Sequence, residues 1–121
     1  MFKTKIRHMD DGASYAGQGL RKADITGVNA SEVDLSGADL RKAQIKLCSF
    51  ANSRFERANM RDAFITDCSF YECDFTNADL TGSTFWNVTF TDCILRDIGV
   101  RGAVYMGYLS MPGYRIPEYQ A

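Results

Sequence analysis

The chain repeats itself every five residues, a period that neither a strand nor a helix supplies. A strand presents the same face every second residue and a helix about every 3.6. In "CSFYECDFTNADLTG", residues 68 to 82, each phrase opens with a small residue (Cys68, Cys73, Ala78). A large apolar residue follows two places later (Phe70, Phe75, Leu80). The frame runs without insertion from Leu20 to Tyr105, giving 18 large positions, and only Ala30 among them is small. The positions two residues earlier hold seven Ala, four Cys, three Val, two Ser, Ile98 and Gln18. "ASYAG" at 13–17 is a weaker first copy. Repetition this regular fixes the architecture ahead of any local propensity.

The large residues also repeat at 20. One column reads Leu20, Leu40, Met60, Leu80, Val100, and the next Ile25, Ile45, Ile65, Phe85, Tyr105. The third reads Ala30, Phe50, Phe70, Phe90, and the fourth Tyr15, Leu35, Phe55, Phe75, Leu95. Like sits over like. Coils of 20 residues stacked in register explain this: each column fills a narrow interior at near-crystalline density, and the backbone bonds from coil to coil.

"ADLRK", "CDFTN" and "ADLTG" follow a known pattern: a small residue, Asp or Asn, Leu or Phe, then two polar residues. Over residues 13–107 the chain thus resembles the pentapeptide-repeat family. The resemblance implies an all-β fold, a right-handed quadrilateral parallel β-helix with four repeats per coil. Nineteen repeats make about 4.75 coils of 20 residues, roughly 23 Å of tube at a ladder spacing of about 4.8 Å. The ends of such a tube expose core and unpaired edges. Residues 1–12 are the expected N-terminal cap segment. Residues 108–121 are the expected C-terminal tail, either a cap or a dimerisation segment, and Pro112 and Pro117 oppose a continuous helix there.

At 121 residues the chain makes one small domain, and its net charge is −1. No apolar run is long enough to cross a bilayer, and "MFKTKIRHMDDG" lacks a signal-peptide core. A cytoplasmic protein with reduced cysteines and no membrane partner is expected. Four cysteines invite a zinc reading. Cys48, Cys68, Cys73 and Cys93, however, all take the small interior position, 20, 5 and 20 residues apart. They read as small apolar filler. His8 is the only histidine, and no phosphate loop or carboxylate pair stands outside the repeat. No cofactor, metal or enzymatic activity is expected.

The outward positions differ between repeats. Arg21, Arg41, Arg61 and Arg101 form a basic column, with Lys22 and Lys42 beside it and Asp39 and Asp62 interspersed. The opposite side carries no basic residue; Glu32, Glu72 and Asp92 share its last column, and Asp34 and Asp74 lie around the adjoining corner. A third side carries Phe64, Trp86, Val104 and Met106, with Leu47 near its corner. Such apolar residues mark a contact surface or lie beneath the tail.

These features describe a non-enzymatic scaffold that binds a protein partner through the charged and apolar faces of a rigid tube, and a homodimer through the C-terminal end. The resemblance adds an alternative. Members of the family imitate duplex DNA and occupy the DNA site of gyrase or topoisomerase IV, and anti-restriction or anti-CRISPR proteins use the same strategy. The partner is then a DNA-binding enzyme. Direct nucleic-acid binding is not expected, because carboxylates dilute the arginine column and no aromatics interleave with it.

Overall fold

A computed structural model describes residues 3–120; Met1, Phe2 and Ala121, at the outer ends of the expected terminal segments, lie outside the described residues. The five-residue period originates in the backbone at the corners. Every fifth residue from Gly12 to Gly107 has a positive φ, between 51° and 79°. An L-residue in this left-handed region costs roughly 1–2 kcal/mol, which Gly avoids and Asn and Asp tolerate best. Of these twenty corner residues seven are Gly and seven are Asn or Asp. Lys22, Glu32, Lys42, Leu47, Arg57 and Glu72 hold the same conformation against their preference. Two of the four corners in each coil are closed by β-turn hydrogen bonds. The N–H of Ala23 donates to the Leu20 carbonyl (3.0 Å), and that of Ala38 to the Leu35 carbonyl (3.1 Å).

Between corners the chain is extended. In chain order the strands are β1 (Lys5–Ile6), β2 (Asp24–Thr26), β3 (Asn29–Ser31), β4 (Gln44–Lys46), β5 (Ser49–Ala51), β6 (Phe64–Tyr71), β7 (Thr84–Thr91) and β8 (Val104–Ser110). All pairings are parallel. On the side that faces inward with Ile25 the order is β1, β2, β4, β6, β7, β8. On the Ala30 side β3 and β5 pair beneath the second half of β6. The Leu20 and Leu35 sides are joined by single bridges, Gly19–Asp39–Asn59–Asp79–Gly99 and Ser14–Asp34–Arg54–Asp74–Ile94. The result is a parallel β-solenoid of about five turns, with no helix among the described residues.

Both ends leave the 20-residue frame. Ile6 pairs with Ile25, an offset of 19, so Met9 rather than His8 enters the interior slot and is buried. Arg7 holds this entry in place: its guanidinium reaches the Asp24 carboxylate at 3.0 Å and the Asp24 carbonyl at 2.9 Å. In the last coil Trp86 pairs with Met106 but Val88 pairs with Leu109, so one extra residue bulges at the corner. Gly107 sits at this point with φ +66°, and a Cβ there would lie 2.4 Å from Asn87 Oδ1. The Asn87 side chain also accepts the Tyr108 N–H at 3.0 Å, which holds the bulge.

Every large position from Leu20 to Phe90 is buried. Phe50, Phe70 and Phe90 stack in parallel, with centroids 5.9 and 5.0 Å apart. Phe55 and Phe75 stack beside them at 4.6 Å. The two columns meet edge to face, as at Phe70–Phe75 (5.1 Å), the geometry aromatic quadrupoles prefer. Beyond Phe90 the core is only half covered by its own coil, and the tail closes it. Met111 and Ile116 are buried against it. Tyr105 N–H donates to Pro117 O (3.0 Å), Tyr119 N–H donates to Tyr105 O (2.8 Å), and the Tyr114 hydroxyl donates to the Leu95 carbonyl. The tail therefore adds a short seventh rung over the Ile25 side.

Two stability outcomes follow. Phe70→Ala should cost about 3–5 kcal/mol, because Phe50 and Phe90 are fixed by their coils and cannot collapse into the gap. Tyr71→Ala, whose side chain faces solvent, should cost less than about 1 kcal/mol; equal losses in chemical denaturation would refute this register. Deleting residues 111–121 removes the buried Met111 and Ile116 side chains and uncovers the end of the core beneath them; it should cost roughly 3 kcal/mol or more, read as a lower denaturation midpoint.

Candidate functional site

The repeated Asp or Asn next to each large residue has a local task. Its Oδ1 accepts the backbone N–H two residues on: Asp34 from Ser36 (2.9 Å), Asp39 from Arg41 (3.2 Å), Asp74 from Thr76 (2.9 Å) and Asp79 from Thr81 (3.0 Å). These groups lead into the corner turns, where the ladder leaves donors to be satisfied. The Ser36 and Thr76 hydroxyls add second bonds to Asp34 and Asp74, at 2.5 and 2.6 Å. Bonds from the Ser36 hydroxyl and N–H, with the Arg54 charge, hold the Asp34 carboxyl below the usual carboxylate range.

This divides the acidic edge in two. Asp34 and Asp74 are half-buried and engaged with the backbone, and Arg54 lies between them in the same column. Arg54 also pairs with Glu56 at 2.8 Å, which, with Asp34 and Asp74, raises its pKa. Glu32, Glu72 and Asp92 stand at positive-φ corners, exposed, and make no ion pair among the described residues.

The basic side divides in the same way. Arg41 grips Asp39 through Nε (2.9 Å) and Nη2 (2.7 Å), which raises Arg41 and lowers Asp39. Arg61 pairs with Asp79 across one rung at 2.9 Å. Arg21, Lys22, Lys42 and Arg101 are exposed and carry no ion pair among the described residues. Exposed pairs such as these contribute little stability. Their effect is to neutralise the middle of the arginine column.

Phe64 and Trp86 are about half exposed on the Ile25 side, and Val104 and Met106 are half-buried above them. The tail closes the end of the tube and leaves Phe64 and Trp86 open. Sequence reasoning missed the cationic residues on the same side, Lys5 and Lys46, because it sorted charges by the arginine column and did not carry the register into the first twelve residues.

The cysteines occupy interior slots on two different sides. Each thiol donates to the carbonyl two residues back and to another 23 back; for Cys68 these are Thr66 (3.2 Å) and Ile45 (3.3 Å). Ser83 takes the same slot and donates to the Met60 carbonyl at 2.8 Å. Cys48 stacks on Cys68, and the contact between the two thiols lowers Cys48 and, with burial, pushes Cys68 up. The two titrate as a pair.

Comparison with known proteins bears on the whole tube. A family model described as a pentapeptide repeat region matches residues 23–99. Among solved structures, the pentapeptide repeat protein Rfr23 from the cyanobacterium Cyanothece 51142 superposes with a TM-score of 0.53 at 15% identity, covering 88% of this chain and 85% of that one. A trypsin-treated form of QnrB1, a plasmid-mediated fluoroquinolone resistance protein, gives a TM-score of 0.50 at 19% identity. The chain covers about half of QnrB1, 52% of its length, with 88% of its own. Comparison with curated proteins finds no match. With five-residue sides, in-register coils and the family model spanning most of its length, the chain belongs to the pentapeptide-repeat family.

Proposed function

We propose that this protein is a non-enzymatic scaffold that recognises a protein partner by charge, with the corner formed by Glu32, Glu72 and Asp92 as the primary surface. One observation carries the reading: these three carboxylates are exposed, share one corner column with Asn52 and are free of ion pairs among the described residues, although Glu72 and Asp92, one rung apart, repel. A basic partner relieves that repulsion. Complementary charge of this kind chiefly sets association rate and specificity.

The narrower reading, a DNA mimic that inhibits a gyrase, topoisomerase, restriction or CRISPR enzyme, has weaker support. Duplex DNA carries one charge per roughly 1.7 Å, about 13 along a tube of roughly 23 Å. Here three free carboxylates share the edge with Arg54. QnrB1 is a fluoroquinolone resistance protein, and the partner class we favour, a basic and DNA-binding protein, is compatible with that likeness.

A homodimer through the C-terminal end is part of the proposal. The bridge ladders stop at Ile94 and Gly99, and Ile94 is 48% exposed, so half of that end offers an open parallel edge. Light scattering at micromolar concentration should give twice the monomer mass; a monomer throughout would refute the dimer.

The partner is identified by affinity capture from the native cell. Glu72→Lys with Asp92→Lys should leave stability within about 0.5 kcal/mol and weaken capture at low salt. Reversal of Arg21 and Arg101 should have no effect. Binding lost only on the arginine reversal would move the site to the basic side, and indifference to both would remove charge from recognition.

A further inference from the structure

The side bearing Ile25 is amphiphilic along its length. Leu47, Phe64, Trp86, Tyr108 and Tyr119 are between 48% and 63% exposed. All five rise up this side or its far corner: Phe64 and Trp86 from the strand faces, Leu47 and Tyr108 from the corner, and Tyr119 from the seventh rung, where the Tyr105–Glu118 bridge sets it opposite Met106. They account for five of the seven large hydrophobic residues exposed among the described residues. On the first three rungs of this side lie Lys5, Lys22, Lys42 and Lys46, the last beside Leu47, with Arg21 beside the near corner, none in an ion pair among the described residues. Asp24, the carboxylate in their midst, is held by Arg7 and by the Thr26 hydroxyl at 2.6 Å. Glu32, Glu72 and Asp92 sit on the diagonally opposite corner.

We propose that this side is a peripheral membrane-binding face that lies flat on a surface of anionic phospholipid, the lysine half on the headgroups and the aromatic half in the interfacial layer. Three observations select this occupant. The first is charge: free lysines gather on the lower half of this side and the Glu32, Glu72 and Asp92 corner points away, while Asp62 and Asp67 stand only at the corners of the upper half, so a negative surface draws in the lysine end and orients the molecule. The second is residue type. Three of the five exposed residues are Trp or Tyr, whose rings combine an apolar body with a polar tip and settle at the bilayer interface. The third is size. Seven rungs of about 4.8 Å by four residues of about 3.3 Å give roughly 440 Å². That is little more than half of the about 800 Å² each partner buries in a stable protein complex, which argues against a second copy, whereas a bilayer needs no matching outline. Single-stranded nucleic acid fits less well. Leu47, Val104 and Met106 offer no π-face for bases.

Trp86 is the only tryptophan in the chain, so its emission reports on this face. With vesicles of equal parts phosphatidylcholine and phosphatidylglycerol at low salt, the protein should co-sediment and its emission should shift to the blue. With pure phosphatidylcholine both effects should be much weaker. Lys22→Glu with Lys42→Glu should reduce partitioning at least tenfold. Leu47→Asn with Phe64→Thr should reduce it severalfold. These replacements keep the fold, because Asn87 and Thr84 occupy the same columns and Asn suits the positive φ of Leu47 (56°). Unchanged denaturation midpoints verify this. The proposal is overturned if no binding to anionic vesicles occurs at low salt, or if Leu47→Asn/Phe64→Thr binds them as the wild type does. It is overturned equally if oligothymidylate, and not vesicles, shifts the Trp86 emission.

Discussion

The left-handed residue at every fifth position is the constraint on which the tube depends. It turns the chain at fixed intervals and so converts a linear sequence into four flat sides. The cost is distributed: Gly carries it at seven corners and Asn or Asp at seven more. The remaining six are held by their surroundings, since a corner flanked by two buried side chains and a coil-to-coil ladder has no other conformation to take. Insertion of a single residue would rotate every later side chain out of its column. The chain admits such shifts only at its two ends, where there is no further coil to disturb.

With the corners fixed, the interior follows from stacking. A column spaced by one rung puts aromatic rings 4.6 to 5.9 Å apart, so phenylalanine fills two adjoining columns. The same spacing brings outward charges together. The chain answers this unequally. Asp39 with Arg41, Asp79 with Arg61 and Arg54 between two aspartates are local settlements. Glu32, Glu72, Asp92, Lys22 and Lys42 are left unsettled. Since the tube is rigid, these groups keep their relative positions when a partner arrives, and association loses little side-chain or backbone entropy beyond the unavoidable part.

The fold was legible because the repeat encodes the core directly: the frame drawn from Leu20 to Tyr105 agrees with burial at every large position through Phe90. The ends were not legible, for a physical reason. In the first coil the offset falls to 19, which brings Met9 inward and leaves Ile6 pairing with Ile25. Nothing in "MFKTKIRHMDDG" marks that slip, because its strand is two residues long and tertiary pairing alone creates it. The bulge at Gly107 and Tyr108 is hidden likewise: the frame breaks after the last large residue that announces it. For the candidate site, the columns of charge could be read from residue numbers, whereas their pairing could not. That Asp34 and Asp74 serve the backbone more than a partner depends on side-chain geometry, and an acidic edge counted from the sequence overstates the free charge.

The same limit explains why the sequence favoured no contact with lipid. A search for membrane segments asks for a long apolar run, and every apolar residue on the Ile25 side is separated from the next along the chain by at least one coil-filling or polar residue. In a solenoid, neighbours on a face are about 20 residues apart, so a surface is assembled from fragments that look unremarkable one at a time. Leu47, Phe64, Trp86 and Tyr108 become a patch only after the coils are stacked. The opposed placement of the free lysines and the Glu32, Glu72 and Asp92 corner then gives the tube a direction across its axis. One face can rest on an anionic surface while the acidic corner remains available to a basic protein, so the two proposed contacts do not compete for the same side chains.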